Sequence, residues 1–361
     1  MKKLIIPSFV FLLYSNFIHT QGCIIVRNIS GLGQYNLTDN SFSTSNWHLN
    51  ITSRYFKSFR DFKGTVNQNT PKQNESVNKV FSLDFSVSRL LRNGWSLILS
   101  IPYTVNSRTS SLEHGGPNTI RHATHSVGLA DIQFIAYKWL FAPSIKQKGN
   151  IQLGLGIKFA TGDYKYQDYF YRNDSTKVLS PVNPSIQLGD GGTGIVTELN
   201  TYYYINPTKT ISLYGNFYYL ISPRELSGTQ FTTGRTPTAL QIQTGVIDLS
   251  VPDVYSMRAG AEFNVNKWAF SSGLRFEGAP VYDLFGGSSG GRRAGYTLSI
   301  EPGILFKLKK GSIYFYIPFT AAHEIIQNVP DKIESKIRGV YTIGAGGSGD
   351  YQIFLGAQFQ L

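Results

Sequence analysis

His114, His122 and His125 stand close together in one polar segment, and imidazoles at such spacings can ligate a divalent metal. The segment holds no cysteine, however, and its one carboxylate, Glu113, adjoins His114 instead of standing three or four residues away. Solvated loop histidines and no metal are therefore expected. A serine–histidine pair could hydrolyse an ester, but neither His48 nor His323 is followed by the Ser-Asn-Gly pattern of membrane-embedded lipases. The stretch Gly286-Gly287-Ser288-Ser289-Gly290-Gly291 lacks the Lys-Ser or Lys-Thr that completes a phosphate-cradling loop, and it reads as a flexible loop. Neither a catalytic residue nor a cofactor is expected.

Two other sets of side chains could meet a solute. The first is a mixed-charge set that falls on one face of alternating segments: Asp84, Asp131, Lys158, Glu198, Arg258, Glu262, Arg275, Glu277, Glu301 and Lys307. Such a set is either a selectivity lining for a small solute or an ion-pair network that fills a narrow lumen. The balanced signs of Arg258, Glu262, Arg275 and Glu277 on adjoining strands favour the network. The second is an aromatic cluster, Tyr164, Tyr166, Tyr169, Phe170 and Tyr171, in one long connection. It could bind glycan or an aromatic solute from outside, or fold as a cap over a pore mouth, and capping is preferred.

The elements that must position these residues are strands. Phe81, Leu83, Phe85 and Val87 alternate with Ser82, Asp84, Ser86 and Ser88, which puts one apolar and one wet face on a single strand. Arg92-Asn93-Gly94 is a hairpin turn signal. The return strand continues the alternation with Trp95, Leu97, Leu99, Ile101 and Tyr103. The same reading predicts about twelve strands, at 47–59, 78–90, 95–107, 126–139, 150–160, 193–205, 210–222, 254–265, 267–277, 295–307, 312–322 and 340–361. The connections alternate between short, as at Asn206-Pro207-Thr208-Lys209 and Lys309-Lys310-Gly311, and long, as at 161–192 and 223–253. Bacterial barrels have short periplasmic turns and long external loops. The expected fold is thus all-β: a transmembrane antiparallel up-and-down β-barrel of about twelve strands, spanning 47–361. A soluble β-sandwich is the weaker alternative.

Tryptophan prefers the membrane–water boundary. Trp47, Trp95, Trp139 and Trp268 all sit next to the short-turn end of their predicted strands. Trp47, Trp95 and Trp268 face lipid in this register, but Trp139 does not, because Ile132, Phe134 and Ala136 claim the outer face of its strand; a β-bulge near Tyr137 would reconcile it with the others.

Charged residues are sparse at 16%, while Gly, Tyr and Phe are plentiful, as in a sheet with one wet and one apolar side. Lys2 and Lys3, an apolar run from Leu4 to about Tyr14 and polar residues to Thr20 match a secretory signal peptide over 1–20. No later segment could span a membrane as a helix. The net charge of +12 falls to about +10 without Lys2 and Lys3. For an exported chain this favours anionic lipid headgroups, including lipopolysaccharide, over nucleic acid, which is not expected as a partner. Cys23 is the sole cysteine; it is either an unpaired residue near the mature start or, less in keeping with Thr20 and Gln21, a lipidated one. Residues 21–46 form either a periplasmic segment or a lumen plug.

The final stretch alternates Tyr351, Ile353, Leu355, Ala357, Phe359 and Leu361. Outer-membrane barrels end in such a strand, which barrel-assembly machinery pairs with, although Leu361 stands where an aromatic residue is usual. Gly128-Leu129-Ala130-Asp131-Ile132, Gly154-Leu155-Gly156-Ile157-Lys158-Phe159-Ala160-Thr161-Gly162 and Leu188-Gly189-Asp190-Gly191 resemble the outer-membrane family named for the meta-pathway of phenol degradation. The resemblance covers about a quarter of the chain, and relatives commonly carry proline where Ala160 stands. It implies an outer-membrane channel or transporter for a small, hydrophobic compound and identifies no functional residue. A structural or adhesive barrel that displays its loops is the alternative, and an outer-membrane lipase the least favoured.

Overall fold

The computed structural model describes residues 47–141 and 147–361. The expected export signal, Cys23 and the 21–46 segment lie outside the described residues.

Twelve strands close on themselves. They are β1 (Trp47–Lys63), β2 (Val77–Leu90), β3 (Trp95–Ser110), β4 (His122–Leu129, resumed as Gln133–Trp139), β5 (Gly149–Lys158) and β6 (Gly194–Tyr204). The second half comprises β7 (Ile211–Ile221), β8 (Val254–Val265), β9 (Trp268–Ala279), β10 (Gly295–Leu308), β11 (Gly311–Tyr316, resumed as Phe319–Ile325) and β12 (Gly346–Gln360). Each pairs antiparallel with its neighbours in sequence, and β12 returns to β1 with His48 opposite Gln360. Closure satisfies the backbone donors and acceptors that hydrocarbon would leave orphaned. No helix among the described residues is long and apolar enough to cross a membrane; the strands do it.

The period-2 pattern sorts side chains as expected. On β2, Ser82, Asp84, Ser86 and Ser88 are buried in the lumen, while Phe81 and Phe85 are exposed on the outer wall. Leu99, Leu155, Leu213, Leu274 and Leu355 continue the outer apolar band. Turn chemistry sets the hairpins: Asn93 and Gly94 both take positive φ, as a tight two-residue reversal demands.

Three expectations need correction. The bulge that would turn Trp139 toward lipid is absent: Trp139 keeps the inward phase set by Ile132, Phe134 and Ala136, 7% exposed and packed with Tyr202 and Tyr204, whereas Trp47, Trp95 and Trp268 face outward. No register shift occurs near Tyr137. The irregularity lies higher, where Tyr103 pairs with Leu129 but Ser100 with Gln133, so β4 has one residue more than β3 across that interval. The extra residue falls opposite Pro102, which has no N–H to give; Ala130 N–H donates to the Pro102 carbonyl at 2.8 Å. The outward parity then switches from Val127 and Leu129 to Phe134, which sends Trp139 inside.

The second correction concerns boundaries. β4 begins at His122, so His125 is a strand residue, and β12 begins at Gly346 instead of 340. The segment before it is helix α2 (Val329–Arg338), preceded by the shorter α1 (Ala239–Thr244). Asn328 caps α2 reciprocally with Asp331, and Gly339, at φ 68°, ends it. Third, the glycine-rich 286–291 loop is anchored: Glu225 accepts from Ser289 N–H at 3.0 Å and from its hydroxyl at 2.6 Å.

Candidate functional site: a loop-covered lumen with a closed floor

Inward positions decide what the barrel can pass. Around mid-barrel they are filled. Tyr214, Tyr314, Tyr316, Phe354, Ala269 and Leu305 form one buried cluster, with Tyr316 stacked on Phe354 at 4.5 Å between ring centroids. Small residues make room for these rings: a Cβ at Gly356 would collide with the Tyr314 ring and one at Gly260 would lie 2.5 Å from the Tyr214 hydroxyl, and in a neighbouring cluster a Cβ at Gly154 would lie 2.6 Å from the Tyr137 ring. The Tyr314 hydroxyl donates to Asn50 Oδ1 at 2.9 Å, tying the cluster to β1.

Beside the rings runs a chain of ion pairs. Arg258 Nε donates to Glu301 Oε1 at 2.9 Å, Arg275 Nη1 lies 3.6 Å from Glu301 Oε2, and Arg275 Nη2 donates to Glu277 Oε2 at 2.7 Å. Gln352 donates to Glu277 Oε1 at 2.7 Å. The four charged side chains are at most 2% exposed, and Arg258 and Arg275 also lie over the Tyr316 and Phe354 rings. Of the other expected lumen residues, Glu198 accepts from Tyr137 and Asn216, and Glu262 accepts from Asn264. Lys307 donates to Asn264, and Asp84 accepts from Ser82 at 3.4 Å. These eight thus engage neighbouring side chains.

Asp131 and Lys158 belong to a different level, the underside of the external loops. Asp131 sits in the irregular stretch of β4, where it accepts from Gly162 N–H at 2.9 Å. Lys158, at the end of β5, reaches both Asp131 at 3.3 Å and Asp190 of the 159–193 loop. That loop dips into the barrel mouth. Asn183 donates to Glu113 at 2.9 Å, Ser185 to Asn78 at 3.0 Å, and the Ile186 carbonyl accepts from Asn106 at 3.4 Å. Ile186 and Val182 are fully buried.

Against this infolded loop lies a cavity of about 300 Å³, with Tyr218 among its lining side chains. Phe56, Val80, Leu188, Leu220, Leu249 and Val254 give it apolar walls; Arg54, Lys158, Arg293, Gln133 and Asp190 supply polar edges. Alternation along 47–59 already put Arg54 inside, but nothing in the sequence indicated that 182–190 would fold inward beside it.

The expected outer aromatic cluster is divided by its own hairpin, Gln167–Tyr171 paired with Lys177–Pro181. Phe170 is buried against Phe231 and Leu249, Tyr164 faces the cavity, Tyr166 is half-buried, and Tyr169 is exposed. Tyr171 stacks on His122 at 4.2 Å. His114 is fully buried; its Nδ1 accepts from Tyr171 N–H at 2.9 Å, and its carbonyl accepts from Arg235 at 2.5 Å. Burial, with His122 and Arg172 nearby, holds its pKa down to about 4. The solvated-loop expectation therefore fails for His114, which joins three external loops. No cluster of metal-ligating side chains occurs among the described residues.

A closed barrel with an apolar outer wall, a polar packed interior and long loops over one mouth is a membrane-spanning barrel of the outer-membrane kind. No family model matches the chain, and no curated protein matches it. Among solved structures it is similar to an outer membrane channel from Pseudomonas putida F1, with TM-score 0.55 and 9% identity over 88% of this chain and 96% of that one. It is similar at TM-score 0.41 and 12% identity to the Ralstonia pickettii toluene transporter TbuX, over 88% and 90% of the two chains. The translocator domain of autotransporter NalP from Neisseria meningitidis follows at TM-score 0.44 and 9% identity, over 91% and 92%. The first of these shares the fold; at such identities only the fold carries over.

Proposed function

We propose that this chain is an outer-membrane channel for a small, hydrophobic compound, which it holds under the external loops before passage. The observation that carries this reading is the cavity against the infolded 182–190 segment, with its apolar walls. A pocket of this size, mostly apolar with a few fixed polar groups, suits a small organic molecule. The Gly- and Leu-rich stretches from 126 to 205 support membership of the phenol meta-pathway family. On this reading residues 1–20 direct export and are removed, residues 21–46 lie in the periplasm or lumen, and β12 is the strand offered to the barrel-assembly machinery. Lipopolysaccharide surrounds the loop-bearing rim. No catalysis is assigned.

Transport requires the floor to give way. Solute flux into liposomes would be measured for the full chain, for a chain lacking residues 21–46, and for a Y314A/Y316A variant. Flux that rises in the variant supports a gated channel. A second reading, a barrel that only displays its loops, draws on the continuous packing of Tyr214, Tyr314, Tyr316 and Phe354. If none of the three proteins passes solute, transport is refuted and display stands.

A further inference from the structure

The chain's excess positive charge is concentrated at one end of the barrel. The external loops 64–76, 111–121, 159–193, 222–253, 280–294 and 326–345 together carry twelve Lys or Arg and twelve Asp or Glu. The short turns 91–94, 140–148, 205–210, 266–267 and 309–310 carry seven Lys or Arg and no Asp or Glu. Every short turn has at least one cation, and Arg92, Lys267, Lys309 and Lys310 are exposed.

Two further cations stand on the outer wall just above these turns. Arg89 pairs across the sheet with Trp47 on one side and Leu97 on the other, and Lys138 pairs with Trp95. Arg89 lies 5.1 Å over the Trp47 ring, and Lys138 lies 5.4 Å over Trp95 while donating to the Asn93 carbonyl. The two therefore flank β3 at the height of the exposed tryptophans, which mark the headgroup level of a bilayer. A soluble partner or the cell wall could reach the turn tips, but a group at Arg89 and Lys138 must lie alongside the barrel wall. Charge and height together select the phosphate of a lipid in the same leaflet.

We propose that the periplasmic rim binds anionic phospholipid headgroups, with Arg89 and Lys138 seating a phosphate against Trp95 and the turn lysines extending the basic ring. The surface is independent of whether solute crosses the lumen. Each basic residue near an anionic surface is worth about 1 kcal/mol, roughly a fivefold factor in binding. The test is native mass spectrometry of the full protein in neutral detergent with equal amounts of phosphatidylglycerol and phosphatidylethanolamine. Phosphatidylglycerol should be retained well over tenfold relative to phosphatidylethanolamine, since Arg89 and Lys138 together are worth about 25-fold at that figure. The R89Q/K138Q variant should lose roughly an order of magnitude or more of that preference, and the turn variant K267Q/K309Q/K310Q part of it. Both variants change exposed or half-exposed side chains, and the heat-dependent gel shift confirms that each is folded. Equal retention of the two lipids overturns the proposal. So does undiminished phosphatidylglycerol in R89Q/K138Q, as does binding of these turns to purified peptidoglycan without lipid preference.

Discussion

Replacing Glu301 by glutamine tests whether the lumen network is held by charge. In the native barrel Arg258 and Arg275 face Glu277 and Glu301, so the four formal charges cancel. The substitution leaves one net positive charge among side chains at most 2% exposed. At the 3.6 Å separating Arg275 from Glu301, and an effective dielectric of about 20, the lost attraction is about 4–5 kcal/mol before compensation. Breaking a buried pair from one side costs about 3–5 kcal/mol net, and that range is expected for E301Q. The assay is the urea midpoint of unfolding from detergent or bilayers, read by tryptophan fluorescence and by the heat-dependent gel shift. An R258M/E301L variant removes the pair together and should recover much of the loss, because the remaining Arg275 and Glu277 still neutralise each other. A midpoint for E301Q within about 0.5 kcal/mol of native would refute the argument, since only water and ions filling the lumen could screen the charge so completely.

Brominated lipids should quench single-tryptophan variants that retain Trp47, Trp95 or Trp268, which are 43–47% exposed, and should leave one retaining Trp139 unquenched. Quenching of Trp139 would show that the parity change in β4 is absent. Gly154→Val should displace the Tyr137 ring, weaken its hydrogen bond to Glu198 and cost about 1–3 kcal/mol in the same urea assay; an unchanged midpoint would mean that the ring has room. His114 gives a pH dependence whose sign is fixed by its lowered pKa. The unfolded loops take up the proton near the ordinary value of 6.5 and the folded ones near 4, so the His114 contribution is complete above about 6.5 and is lost as pH falls toward 4. The full shift corresponds to about 3 kcal/mol, and limited proteolysis of the 111–121 and 159–193 loops should accelerate between pH 6.5 and 4.5. His114→Gln should flatten that profile; acceleration that persists in the variant would assign the effect to another group.

The barrel is legible in sequence because a bilayer imposes period 2 on every strand and polar turns between them. Counting alternate positions finds the inward charged residues on the strands, such as Glu198, Arg258, Arg275 and Glu301, and Arg54 follows from the same count on β1, whereas Asp131 lies in the irregular stretch of β4. What escaped is non-periodic. The residue added to β4 is invisible to alternation on either side of it, and its cause, Pro102, lies on the neighbouring strand. The inward fold of 182–190 depends on Asn78, Asn106 and Glu113, which come from β2, β3 and the loop after β3. Pairwise encounters of this kind leave no local pattern. The helix Val329–Arg338 did have a signal in Asn328, Pro330 and Gly339, which the reading of 323–339 as a long connection passed over.

The seam between β1 and β12 has a consequence for how the molecule is made. His48 lies opposite Gln360, so the last cylinder-sealing contacts join residues separated by nearly the whole polypeptide. Any shorter nascent intermediate exposes two raw edges and cannot enter lipid without leaving amides unsatisfied. Folding is therefore expected to be slow, to begin only after synthesis of β12, and to pass without a stable half-inserted species.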